Sequence, residues 1–233
     1  MLKVENIHTF YGVAHVLQGV SLEIDAGENV CLIGRNGAGK TTTLKSIIGL
    51  TPPKSGSIKF RGEKISGMRP HHIARRGIGY VPEERRIFPN LTVKDNLEIA
   101  QNKMRHGRSG EWTIERAYDL FPKLKTLESQ KGMRLSGGEQ QMLTIARTLM
   151  GNPELLLLDE ISEGLAPIIL ENMVKSIRKL KEEITILLVE QNATFAFSIS
   201  DRGYVMDKGT ITYQGTIGEL KDNKEVKDRY LSV

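Results

Sequence analysis

The sequence predicts an α/β fold, a split core of strands and helices with a helical insertion in its middle. Three features carry this reading. The runs "NVCLIG" (29–34), "LLLLDE" (155–160) and "ITILLVE" (184–190) are almost continuously apolar, as strands are when a parallel sheet is covered on both faces. "VSLEI" (20–24) and "SIKF" (57–60) alternate apolar with polar residues, the period of half-buried strands. From about Glu84 to Met150 the pattern turns helical instead.

In chain order, the first continuously apolar strand runs into a glycine-rich loop and then "KTTTLKSIIGL", a helix ending near Gly49. The basic stretch "MRPHHIARRGIGYVPEERR" (68–86) reads as an amphipathic helix and loop facing water. Three helical segments follow: "TVKDNLEIAQNKM", "EWTIERAYDLFPKL" and "EQQMLTIARTLM". Thr92 and Asp95 have the spacing of a capping box at the start of the first. The α/β pattern then resumes, with "ILENMVKSIRKLKEE" as a helix between two apolar strands and a hairpin over 204–215 turning at Asp207–Gly209. No internal repeat or low-complexity linker interrupts this layout.

With 233 residues, 39% of them hydrophobic, the chain can bury a sizeable core. No run approaches the roughly 18 apolar residues of a membrane span, and "MLKVENIHTF" reaches charge too early for a secretory signal. The protein is therefore expected to stay in the compartment where it is made. Cys31 is the single cysteine, which excludes an internal disulfide and a cysteine-built metal site; its apolar run suggests a buried structural thiol. The histidines lack metal-ligand spacing. The net charge of +5 selects no partner, and aromatic residues, 6% of the chain, are too sparse among the arginines for a base-stacking platform. No nucleic acid is expected as a partner.

"GRNGAGKT", Gly34 to Thr41, matches G-x-x-x-x-G-K-[ST] without a mismatch. The whole loop (Gly34, Arg35, Asn36, Gly37, Ala38, Gly39, Lys40 and Thr41) is the expected phosphate cradle. Its glycines let backbone N–H groups turn inward, and the following helix adds its positive end. Lys40 is placed for the β- and γ-phosphates and the Thr41 hydroxyl for Mg²⁺. In "LLLLDE", Asp159 emerges where a buried strand ends, the edge at which open α/β sheets hold ligands. It is a metal-holding candidate. Glu160, pointing the other way, is a candidate general base for an attacking water. Together these residues describe a P-loop NTPase using ATP and Mg²⁺.

"LSGGEQQ" (135–141) specifies the kind. Ser136 and Glu139 have capping-box spacing, but capping alone does not call for two glycines between them. Followed by Glu-Gln-Gln, and lying between "GRNGAGKTT" and "LLLLDE", this stretch resembles the signature of ATP-binding-cassette (ABC) ATPases, along the whole chain. The resemblance implies a mixed β-sheet core, an antiparallel β-subdomain and a helical insertion. It implies one domain over 1–233, with an ATP-binding core at 1–83 and 153–233 and a helical signature subdomain at 84–152. It also implies that Ser136, Gly137 and Gly138 close on ATP held by a second subunit. Tyr11 matches the aromatic that stacks on adenine, and Thr42 the hydroxyl that contacts the α-phosphate. "ISEGLAP" resembles the loop crossing the dimer interface, with Ile161 in place of the usual proline.

Two departures stand out. Glu83 occupies the position of a glutamine that reaches Mg²⁺ and the attacking water. Gln191 replaces the histidine that contacts the γ-phosphate; its amide donates a hydrogen bond but does not titrate near neutrality. Together with "VPEERRIFPNLTVKDNL", "DEISEGLAP" and "ILLVEQNA", these positions resemble an ATPase of branched-chain amino-acid importers. The resemblance implies a peripheral subunit on the cytoplasmic face of the membrane, beneath two permease subunits, with an external solute-binding protein acting indirectly. A groove around Glu83–Phe88 would receive a permease helix. Such importers pair two different ATPases, so a heterodimer is expected, with a homodimer as the other form. Urea importers have a very similar ATPase, and a non-transport ABC ATPase is a further reading. A lipopolysaccharide-export ATPase would be expected to keep glutamine and histidine at the two departures.

Overall fold

The computed structural model describes residues 1–101, 111–226 and 228. In chain order the first elements are β1 (Leu2–Tyr11), β2 (Ala14–Ile24), β3 (Asn29–Ile33), α1 (Lys40–Ile47), β4 (Ser55–Phe60) and β5 (Glu63–Lys64). Next come α2 (Pro70–Arg75), β6 (Ile78–Val81), α3 (Val93–Ala100), α4 (Ile114–Leu120), α5 (Pro122–Thr126) and α6 (Gly137–Leu149). The last part holds β7 (Leu155–Asp159), α7 (Pro167–Leu180), β8 (Thr185–Glu190), α8 (Ala193–Ile199), β9 (Arg202–Asp207), β10 (Thr210–Thr216) and α9 (Ile217–Asp222).

Two sheets result. One is antiparallel, in the order β2-β1-β4-β5. The other is mixed, in the order β10-β9-β3-β8-β7-β6, parallel throughout except for the β9–β10 hairpin. Its register is continuous: Leu188 lies between Cys31 and Leu158, and Leu158 pairs on with Val81. The carboxyl ends of β3, β8, β7 and β6 therefore fall along one edge.

Successive strand residues face opposite ways, so each strand feeds two cores. Leu156, Leu158, Leu188 and Cys31 pack with Leu97, Trp112, Tyr118, Leu124 and Leu143 from the helical segment. Leu155, Leu157, Leu187 and Leu32 pack instead with α1 and the antiparallel sheet, through Leu44, Ile47, Val4 and Ile58. Cys31 is fully buried, and burial pushes its thiol up to about 12, so it is an inert packing residue. Among the described residues no helix is long and apolar enough to cross a membrane.

The structure corrects three local expectations. "IGYV" is not part of a water-facing loop; it is the edge strand β6, with Ile78 and Val81 buried against β7. Four residues amid arginines are too short to show a period. The expected helix 111–124 is two helices, broken at Phe121 (φ −127°, ψ 75°) before Pro122; a proline ring disfavours α geometry in the residue before it. The first insertion helix ends at Ala100, and residues 102–104 of its expected span lie outside the described residues.

Leu187, central in the mixed sheet and fully buried, reports on this core. Replacing it by alanine should lower unfolding stability by about 2–5 kcal/mol, measured by urea denaturation.

Candidate functional site

The loop between β3 and α1 owes its path to its glycines. Gly37 (φ +78°) and Gly39 (φ +110°) occupy backbone regions that favour glycine. Gly34 is constrained by space, since a Cβ there would lie 2.5 Å from the Met206 carbonyl oxygen. The β9–β10 turn thus packs directly on the loop, and the Gly209 N–H donates to Ala38 O at 2.8 Å. Arg35, Asn36 and Gly37 face solvent, whereas Gly34, Ala38, Gly39 and Lys40 are buried.

The expected catalytic and metal-holding residues converge on the shared carboxyl edge. Lys40 Nζ lies 2.9 Å from Glu160 Oε1, with side chains only 3% and 11% exposed. It also donates to Arg35 O at 3.2 Å. The Thr41 hydroxyl donates to Asp159 Oδ1 at 2.8 Å. Tyr80, on β6, donates to Asp159 Oδ2 at the same distance. Burial raises the Asp159 carboxyl above the usual aspartate range; the Tyr80 and Thr41 bonds pull it back, and Glu160's charge adds to the rise. Glu83 stands with Glu160 and Glu163, their ligand oxygens within 4.8 Å of one another. Its carboxyl is raised by partial desolvation and by the charges of Glu163, Glu160, Asp159 and Glu84.

The remaining expected residues lie around this centre. Gln191 is exposed directly after β8, whose last residue, Glu190, lies opposite Ile33 at the start of the glycine loop. Thr42 is buried in α1. Tyr11 ends β1, half exposed, with its hydroxyl 3.3 Å from Thr51 Oγ1 just beyond α1.

The signature residues lie at the start of α6. Ser136 caps α6: it accepts from the Glu139 N–H, and Glu139 Oε2 accepts from the Ser136 N–H at 2.8 Å. Among the described residues no hydrogen bond or ion pair joins Ser136, Gly137 or Gly138 to the loop 34–42. Both glycines have packing reasons. A Cβ on Gly137 would lie 2.4 Å from the Arg85 guanidinium, and one on Gly138 would lie 2.8 Å from Ile169 on α7. Arg85 also donates to Glu163 O at 2.7 Å.

Sequence reasoning missed Tyr80 and Glu190. Tyr80 belongs to the unforeseen edge strand. Glu190 is 1% exposed and accepts from the Ser162 N–H at 3.0 Å and the Ser162 hydroxyl at 2.6 Å; its only sequence signal is a charge ending an apolar strand.

Beside the strands lies a groove of 480 Å³ lined by Leu50, His71, Ala74, Tyr80, Thr148 and Pro153, among others. An adjoining one of 290 Å³ includes Pro82, Arg86, Thr144 and Arg147. The exposed Phe88 ring lies under the Arg147 guanidinium, 4.5 Å away.

Comparison with known proteins gives consistent matches. The ABC transporter family profile matches residues 17–163. The chain is 43% identical to the high-affinity branched-chain amino acid transport ATP-binding protein BraG of Pseudomonas aeruginosa, over 99% of both chains. It is 36% identical to the lipopolysaccharide export system ATP-binding protein LptB of Escherichia coli, over 99% of this chain and 96% of that one. The ADP conformation of MJ1267, an ATP-binding cassette of an ABC transporter, superposes with a TM-score of 0.83 at 28% identity, covering 100% and 99% of the two chains. The dimeric structure of MJ0796, a bacterial ABC transporter cassette, gives 0.81 at 27% identity, covering 93% and 99%.

Tyr80→Phe removes one donor to Asp159 while keeping the ring. The Asp159 carboxyl should then titrate still higher than in the parent protein, as read by NMR titration of the side-chain carboxyl carbon.

Proposed function

The chain belongs to the ABC transporter family, and from that premise we propose that it is the energy-coupling ATPase of a branched-chain amino-acid importer. ATP hydrolysis and nucleotide binding are the family's activity. The observation that carries the finer reading is the 43% identity to BraG along 99% of both chains. Glu83 and Gln191, at the two departures noted in the sequence, support it.

The residues present fit Mg²⁺. Asp159, Glu160 and Glu83 crowd together, two of them with raised carboxyls, against the one buried ammonium among the described residues, Lys40. Such an edge lacks positive charge. Thr41 and Asp159 would hold the ion, with Glu83 close to it. When bound, Mg²⁺ supplies charge to the phosphate oxygens that the protein alone does not.

The chain's own residues do the rest. Backbone N–H groups from Gly34 to Thr41 and the N-terminus of α1 receive the phosphates of ATP. Lys40 exchanges the Glu160 carboxylate for the β- and γ-phosphates, one anion for another. That exchange frees Glu160 to take a proton from the water attacking the γ-phosphate. Gln191 donates its amide to the γ-phosphate, Thr42 contacts the α-phosphate, and Tyr11 stacks on adenine.

Ser136, Gly137 and Gly138 serve a nucleotide on a second ATPase subunit, their helix N-terminus facing its γ-phosphate. The isolated chain pairs with a second copy, and in the assembled importer a different ATPase subunit takes that place. Residues 84–152 act as the signature subdomain. The paired grooves near Leu50, Arg86 and Phe88 receive a helix of a permease subunit, which places the protein on the cytoplasmic face of the membrane. The solute-binding protein acts through that permease.

Two outcomes are expected. Glu160→Gln should lower kcat for ATP by about 10²–10⁴-fold, measured by phosphate release, while still binding ATP. Expressed in Pseudomonas aeruginosa lacking BraG, the chain should restore leucine uptake, and Lys40→Ala should not. A chain that hydrolyses ATP but restores no leucine uptake would contradict the importer reading and make urea uptake the next assay.

A further inference from the structure

β8 is buried along its whole length, yet it ends in a carboxylate. Glu190 is 1% exposed, a placement that costs stability unless the charge is fully hydrogen-bonded. Both its oxygens accept from one residue, Ser162, through the N–H at 3.0 Å and the hydroxyl at 2.6 Å. Ser162 lies two positions after Glu160, and Glu190 directly precedes Gln191.

Glu160 needs such support. Its φ of +46° places a side-chain-bearing residue in the left-handed region, at a cost that surrounding contacts must offset. Three contacts hold it directly: its N–H donates to Val189 O at 2.9 Å, its carbonyl accepts from the Glu163 N–H at 3.2 Å within the same turn, and its carboxylate pairs with Lys40 at 2.9 Å. On the proposed reading, nucleotide takes Lys40 away. The restraints that remain from outside its own turn come from consecutive residues of β8, Val189 through its carbonyl and Glu190 through Ser162.

We propose that Glu190 is a positioning residue for hydrolysis: its carboxylate locks the loop carrying Glu160 to the loop beginning at Gln191, so the two hold one geometry at the γ-phosphate. The proposal rests on the ATPase reading above. It assigns Glu190 no contact with nucleotide or water.

The clamp carries a pH signature. Burial pushes the Glu190 carboxyl up to about 7, against the lowering effect of the Ser162 bonds and the Asn192 N–H, while Glu160's charge raises it. The titratable groups facing it are Glu160 at the end of β7 and the Cys31 thiol on β3, which stays neutral. Ionised, Glu190 offers an acceptor to each Ser162 donor. Protonated, it presents one donor and one acceptor, so the Ser162 hydroxyl must turn to accept and a charge-assisted bond becomes a weaker neutral one.

The test is kcat of the full-length protein between pH 6 and 8.5 at saturating ATP and Mg²⁺. With a group titrating near 7, the parent rate should rise about tenfold from pH 6 to pH 8. Glu190→Gln removes the titration and, like the protonated acid, presents one acceptor and one donor to Ser162, so it should reduce that rise to less than about twofold. Ser162→Ala and Glu190→Leu should each lower kcat at pH 8 by about tenfold or more while KM for ATP changes less than about twofold. Identical pH profiles for the parent and Glu190→Gln, or an undiminished kcat in Ser162→Ala, would overturn the clamp. Ser162→Ala keeps the test open should Glu190→Leu fail to fold. A parent protein that hydrolyses no ATP would instead defeat the ATPase reading itself.

Discussion

One buried ammonium among many carboxylates organises this molecule. The parallel register of β3, β8, β7 and β6 brings four strand ends to one edge, and the residues there are overwhelmingly acidic. Asp159 and Glu190 are almost fully buried, Glu160 is nearly so, and Glu83 and Glu163 stand beside it. Among the described residues Lys40 is the buried cation that answers them, with the half-buried Lys45 also acting on Asp159. Buried charge without compensation is expensive, and it is offset here in three ways: hydrogen bonds from Thr41 and Tyr80 to Asp159, hydrogen bonds from Ser162 to Glu190, and the Lys40–Glu160 pair. On the proposed reading, the further positive charge that this edge takes up is Mg²⁺ arriving with the polyanionic nucleotide. On that reading, the ion pair that stabilises this state is the one that the nucleotide exchanges.

The two patterns proposed to bind phosphate sit on different parts of the architecture. The glycine loop grows out of the mixed sheet, where the Met206 carbonyl of β9 leaves no room for a Cβ at Gly34 and the β9–β10 turn donates to Ala38 O through Gly209. The signature caps α6, whose side chains pack with the helical segment, and its glycines accommodate Arg85 and Ile169. Each offers the positive end of a helix, but no bond joins the two among the described residues. On the proposed reading, a site built from both takes the loop of one subunit and the signature of another, the arrangement a dimeric cassette provides.

What could be read from the sequence was what is written locally. Gly34–Thr41, Ser136–Gly138 and Asp159–Glu160 are contiguous patterns whose chemistry depends on spacing along one strand end or helix start. The capping boxes at Thr92 and Ser136 belong to the same class and were found where expected. Tyr80 and Glu190 were invisible for the opposite reason. Tyr80 meets Asp159 across 79 positions and Glu190 meets Ser162 across 28, through strand pairings that no local pattern encodes. The strand carrying Tyr80 is itself only four residues long. A buried glutamate ending an apolar strand is the one hint that closer reading could have taken up.

The central claim is that loop and signature act between subunits, and mixing two disabled proteins tests it most directly. Lys40→Ala disables the loop and Ser136→Arg the signature, so each variant alone should hydrolyse almost no ATP. Random pairing of equal amounts makes half the dimers mixed, each with one intact composite site, so the mixture should recover about a quarter of the parent rate. A mixture as inactive as its components, under conditions where the parent protein hydrolyses ATP, would show that each chain completes its own site and would contradict the account.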